Sequence, residues 1–224
     1  MDVLLLVVCG VLGAGVLLIG FASYMGYWKE CKVSCKKEAG FHLLFRNYEG
    51  EVTQVGAMFE ENDKQLMEVP EFVALGNVSP RCFGVYHDNP NKLKDPSKLR
   101  VSVGIVLPES LSREQQVKVL EQLKAKGFLE KKISPGEYVY GEWPYRNQLS
   151  FWLGPRRFYP AATKFCASEG LPWGSDEDCY QIGIEFYDME DGKIRFMVPI
   201  SSGASEWKIH AAPRPEYVET KKGK

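Results

Sequence analysis

Residues 3 to 24, VLLLVVCGVLGAGVLLIGFASY, contain no charged side chain, and this run constrains the chain more than any other. As a helix it would extend about 33 Å, against a bilayer hydrocarbon core of about 30 Å. A helix packed in a soluble domain keeps a polar face, and this one has none. A cleaved signal peptide is the alternative, since Gly20-Phe21-Ala22 supplies small residues at a signal-peptidase spacing. The run is longer than an h-region of about 7–15 residues, and only Asp2 precedes it, so length and flank favour an anchor.

Lys29, Lys32, Lys36 and Lys37 follow the run closely, with no basic side chain before it. Lys and Arg stay on the cytoplasmic side, which predicts a lumenal N-terminus and a cytosolic main domain. Tyr24, Tyr27 and Trp28 suit the interfacial belt at that end. Residues 1–27 are therefore read as anchor and 28–40 as a juxtamembrane linker.

The remainder is long enough for one domain with its own core. A net charge of -1 and the lack of a basic stripe interleaved with aromatics exclude a nucleic-acid footprint. No C-x-x-C pair occurs among Cys9, Cys31, Cys35, Cys82, Cys166 and Cys179, so no zinc site is expected. In a cytosolic domain these are free thiols, and Cys31 and Cys35 are either unmodified or palmitoylated beside the membrane. His42, His87 and His210 are scattered. Neither a G-x-S-x-G elbow nor a phosphate or dinucleotide fingerprint appears, and no cofactor is expected.

Strands are predicted within 41–55, at 83–86, 99–107, 137–143, 180–187 and 193–200, and a helix over 56–67. Ser112-Arg113-Glu114-Gln115 is a capping box, opening a helix with a stripe through Val117, Leu120, Leu123 and Lys124 that ends at Gly127. A helical stretch at Leu149–Leu153 is expected to break at Pro155, with a second helix from Arg157 to Glu169. Asp191-Gly192 marks a hairpin tip. Beyond Pro199 the apolar pattern fades, and 201–224 is read as a short tail.

The two halves echo one another. Lys98-Leu99-Arg100-Val101-Ser102-Val103 matches Lys193-Ile194-Arg195-Phe196-Met197-Val198, and Gly84-Val85-Tyr86 matches Gly183-Ile184-Glu185. The expected class is α+β: an N-terminal transmembrane helix, then a duplicated β-α-β-β domain over 41–200, with repeats at about 41–110 and 111–200. Two sheets side by side, with helices on one face, would leave a concave seam for a ligand.

Val85-Tyr86-His87-Asp88-Asn89-Pro90, Leu149-Ser150-Phe151-Trp152-Leu153 with Arg156-Arg157, and Ile184-Glu185-Phe186-Tyr187 give the chain a family resemblance. It resembles the GyrI-like effector-binding domains, and among them a membrane-anchored animal family of ER-phagy receptors. The resemblance implies tandem repeats around a central pocket, and a glutamate that receives cationic drugs or acts as the acid–base group of a hydrolase. It also implies an acidic tail with an aromatic-x-x-aliphatic motif. The nearest candidates depart from it: Phe59-Glu60-Glu61-Asn62 ends in a polar residue, and Trp207-Lys208-Ile209-His210 has its aliphatic residue one place early.

Glu185 is the glutamate that matches. Between Ile184 and Phe186 on a strand, it points away from both, towards the seam or solvent. Aromatic walls from Tyr86, Tyr140 and Trp152 would raise its pKa and hold a cation. The alternative is an exposed strand glutamate with core aromatics. Lys221 and Lys222 stand fourth and third from the end, resembling a dilysine retrieval signal read by a coat complex. Together these readings predict a single-pass ER-membrane protein whose domain binds a small apolar or cationic ligand or a protein partner. An ER-phagy adaptor and a Glu185-dependent hydrolase are the alternatives.

Overall fold

In a computed structural model the chain is described over residues 3–74, 80–171, 182–188 and 191–217. Cys179, Lys221 and Lys222 lie outside these residues. α1 (Val3–Tyr24) is a single helix, and none of the window 7–24 is buried. Its end is tied to the domain. Met25 is 3% exposed within the core around Trp143, and Asn147 donates to its sulfur. Gly26 turns the chain at φ 76°, against the Trp143 ring, a backbone state that a side chain would strain.

Eight antiparallel strands follow: β1 (Val33–Glu38), β2 (Phe41–Gly50), β3 (Cys82–Tyr86), β4 (Leu99–Val106), β5 (Leu129–Ile133), β6 (Gly136–Pro144), β7 (Gly183–Asp188) and β8 (Lys193–Pro199). They form one continuous sheet in the order β1-β6-β8-β7-β3-β4-β2-β5, not two sheets side by side. Exchanging the two halves (β1 for β5, β2 for β6, β3 for β7, β4 for β8) reproduces this order read from the other end. Each half lends its first strand to the other: β1 pairs with β6, and β5 pairs with β2. The segment read as a linker therefore contains an edge strand.

One face carries the helices α2 (Val55–Leu66), α3 (Pro70–Val73), α4 (Arg113–Ala125) and α5 (Ser150–Ser168). The Ser112–Gln115 capping box forms, with both reciprocal hydrogen bonds. The buried positions of α4 are Val119 and Leu123, while Val117 is half exposed, so the stripe lies rotated from the expected one. α5 runs unbroken through Pro155 and Pro160. An interior proline removes one helical hydrogen bond, at a cost of about 3 kcal/mol. Burial of Leu153, Phe158, Ala162 and Cys166 along one face offsets that cost.

The opposite face is also dry. Phe41, Phe83, Ile184, Phe186, Tyr138 and Met197 pack there under Trp207. The indole of Trp207 donates to the Tyr138 hydroxyl at 3.1 Å. Segment 201–217, part of the stretch read as a short tail, thus closes this core through Trp207, and Tyr217 bridges to Leu93 at its end.

Candidate functional site

β3 and β7 join the two halves through five residue pairs, and the middle pair is Gly84 opposite Glu185. Alternation along β7 sends Ile184 and Phe186 into the Trp207 core and turns Glu185 and Tyr187 under the helices. Because both faces are covered, Glu185 is only 4% exposed. Its carboxylate accepts from the phenol of Tyr159, on α5, and from that of Tyr187, each at 2.9 Å. Tyr86 on β3 lies within 3.3 Å of the Tyr187 hydroxyl.

Rings enclose this group. Phe59 of α2 and Phe151 of α5 meet Tyr187 edge to face, with centroids 5.0 and 5.3 Å away, and Tyr145 packs on Phe151. A Cβ added at Gly84 would stand 3.2 Å from the Tyr86 ring and 3.4 Å from Phe59, so glycine leaves the space over the ladder to those rings.

Burial pushes the Glu185 carboxyl up to about 7, against the two phenol hydrogen bonds, which pull it down. The phenols of Tyr159 and Tyr187 rise well above their ordinary value, through burial and then through the nearby Glu185 charge. Protons therefore stay on the tyrosines, and the carboxyl is the group that titrates near neutrality. It forms no ion pair among the described residues. A carboxyl so placed can take up a positive charge or exchange a proton with a bound molecule.

Of the residues expected to wall the site, Tyr86 stands beside Glu185. Tyr140 is on the opposite face, where it hydrogen-bonds to Glu142 under the Lys36 ammonium. Trp152 is 56% exposed on the outer side of α5, stacked by Arg156. The sequence reading missed Tyr159, Tyr187, Phe59 and Phe151. Tyr187 was accessible to it, being two residues from Glu185 on the same strand; the others need the packing of α2 and α5.

A second polar group sits at the β3–β4 end. Asp88 accepts from Nε and Nη2 of Arg100, at 2.9 and 2.8 Å, and from the Tyr217 hydroxyl at 2.7 Å. Arg100 also donates to the Ala212 carbonyl. Burial drives the His87 imidazole down to about 3, with the neighbouring His210 and Arg100 adding to the effect, so it stays neutral beside Ser102. This cluster anchors the C-terminal segment.

No family model matches the chain. It is 27% identical over 207 residues to human testis-expressed protein 264, covering 89% of this chain and 58% of that protein. The chain is similar to testis-expressed protein 264. The mouse homolog is 29% identical over 136 residues, covering 58% of this chain and 40% of the relative. The chain thus spans about half the length of the curated relatives it matches. An uncharacterized conserved protein from Listeria innocua superposes with a TM-score of 0.51 over 81% of this chain and 98% of its own, at 13% identity. That likeness is one of fold.

Proposed function

We propose that this chain is a membrane-anchored binding module of the GyrI-like kind, in which Glu185 receives the positive charge of a lipophilic ligand. The observation that carries the reading is a buried carboxyl with no counter-charge among the described residues, enclosed by aromatic rings where β3 meets β7. Aromatic faces attract cations, and desolvation strengthens the attraction. A ligand reaching Glu185 would have to displace Phe59 of α2 and Phe151 of α5, whose rings pack on Tyr187. The self-matching strand order and the matched sequence segments support descent of the halves from one duplicated β-α-β-β unit.

In this reading α1 spans the membrane once, with its N-terminus in the lumen and the domain in the cytosol. Placement in the ER membrane belongs to the same reading and rests on the resemblance to the membrane-anchored ER-phagy receptor family. Protease added to intact microsomes degrades the domain if this topology holds and spares it if the domain is lumenal.

The ligand reading is tested with the full chain in lipid nanodiscs, titrated with rhodamine 6G. The dye enters the lipid equally for each variant, so the difference between wild type and Glu185→Gln reports the site. Loss of about tenfold in affinity on substitution is the expected result, and equal binding would sink the proposal. The resemblance to the ER-phagy receptor family favours a membrane-turnover adaptor as the second reading. Capture of an autophagy modifier protein by the intact chain, unaffected by Glu185→Gln, would establish it instead. The carboxyl value of about 7 also suits proton transfer, and turnover abolished by the same substitution would mark a hydrolase.

A further inference from the structure

A cleft of about 630 Å³ opens where α1 meets the domain, between residues 27–31 and the outer face of α5. Pro160 and Ala161 floor it, and the spacing of Arg156, Pro160 and Lys164 keeps them on one helical face. Lys29, Arg156, Arg157 and Lys164 surround it, against one carboxylate, Glu30. None of the four cations forms an ion pair among the described residues. Arg157 spends one donor on the Tyr27 carbonyl and lies over the Tyr27 ring, and Arg156 lies over Trp152. A guanidinium has five N–H donors, so both arginines keep several for another acceptor. Trp28, 66% exposed, lines the cleft, and Trp152, 56% exposed, lies under Arg156.

The position selects the occupant. The cleft begins three residues after the last residue of α1, so a membrane-spanning α1 sets it at headgroup depth, with tryptophans at the interfacial level. We infer that this cleft binds the headgroup of an anionic phospholipid, its phosphate held by Arg156, Arg157 and Lys164. Charge complementarity and continuity with the apolar helix favour lipid over an acidic peptide, because membrane lipid is already concentrated there. Basic pockets beside membrane spans hold anionic headgroups by this chemistry, each cation being worth about fivefold near the surface. Such a contact would fix the domain's orientation to the bilayer and the direction in which the Glu185 site faces.

This inference rests on reading α1 as a membrane span, and the test separates the two. The full chain is first floated with neutral phosphatidylcholine vesicles; failure to float overturns the span itself. It is then reconstituted in mixed phosphatidylcholine and phosphatidylserine vesicles, and the lipids retained after detergent extraction are counted by native mass spectrometry. Wild type is expected to retain phosphatidylserine several-fold over its share, and Arg156→Ala with Lys164→Ala to lower that preference about tenfold. Lys32→Ala with Lys37→Ala removes the same charge outside the cleft and is expected to leave most of it. Equal loss in both pairs, or no preference in wild type, overturns the proposal. Abolition of the preference by millimolar inorganic phosphate assigns the cleft to free phosphate and overturns it too.

Discussion

The phenol of Tyr159 reaches from α5 to Oε1 of Glu185 at 2.9 Å, joining a helix of the second half to the strand at the centre of the sheet. Among the described residues, that hydrogen bond is one of two the carboxylate receives from side chains. Replacing Tyr159 with Phe removes it while keeping the ring beside Phe196. A hydrogen bond to a charged group is worth about 1.5–3 kcal/mol, and one pKa unit corresponds to about 1.4 kcal/mol. The Glu185 pKa is therefore expected to rise by about one unit or more above its value of about 7. Carbon-13 NMR titration of the carboxyl measures it; an unmoved or lower value would remove Tyr159 from the site.

Stability should carry the signature of the same group. The Glu185 pKa is raised on folding, so at a pH between about 4.5 and 7 the unfolded chain has lost a proton that the folded chain retains. Stability is then full below the unfolded value, falls as pH rises through 7, and levels above it. The shift corresponds to about 3 kcal/mol. Glu185→Gln is expected to flatten this decline and to be more stable than wild type at pH 8. On the acid side His87 acts in the opposite sense. Its folded value lies near 3, so below about pH 6.5 the unfolded chain takes up a proton that the folded chain refuses, and stability falls. Between about pH 4.5 and 6.5 the two slopes oppose and largely cancel, so chemical denaturation across pH 4–8 is expected to show wild type nearly flat there, and Glu185→Gln losing stability on acidification below about pH 6.5.

Asp88 has no exposed side-chain surface and depends on Arg100 and Tyr217 for its charge. Although burial raises its pKa, the hydrogen bonds from those two residues outweigh it and hold the carboxyl below its ordinary value. Arg100→Ala leaves an uncompensated buried charge, which costs about 3–5 kcal/mol. Tyr217→Phe removes a single donor and should cost about 1–3 kcal/mol. Urea titration gives both values. The Tyr217 variant should also expose the C-terminal segment to limited proteolysis, and unchanged cleavage would show that the segment is held elsewhere.

Local chemistry accounts for what could be read in advance. The uncharged run of α1, the Ser112 capping box, and the alternation of Val101, Val103 and Ile105 are decided within a few residues, and each forms as expected. Glu185 was picked out by the family resemblance, and period-two alternation gave its direction, opposite Ile184 and Phe186. Its burial was not legible, since that depends on α2 and α5 closing over a face that alternation leaves open. Tyr140 was misplaced for a related reason. It shares a sheet with Glu185, but only the pairing of β6 with β8 decides which face it takes. β5, LEKKI, has three charged residues in five and forms because the edge of β2 is there to pair with. The two prolines of α5 obey a local rule that its buried face overrides, and Trp207 lies beyond the last periodic pattern, with nothing nearby in sequence to announce its partner Tyr138.

Gly84 offers a way to separate occupancy of the site from its electrostatics. It stands opposite Glu185, and a methyl group there meets Tyr86 at 3.2 Å, Phe59 at 3.4 Å and the Tyr187 hydroxyl at 3.7 Å. The first two are ring edges that shift by a few tenths of an ångström. The strand position itself favours a side chain over glycine by about 0.5–1 kcal/mol. Gly84→Ala should therefore fold, with stability within about 1 kcal/mol of wild type. The methyl group occupies the space between the rings that a ligand would need, so rhodamine 6G affinity is expected to fall at least several-fold while the Glu185 pKa stays near 7. Full affinity in a folded Gly84→Ala chain would mean that the dye binds away from the β3–β7 junction, and the aromatic enclosure of Glu185 would then be packing rather than a binding site.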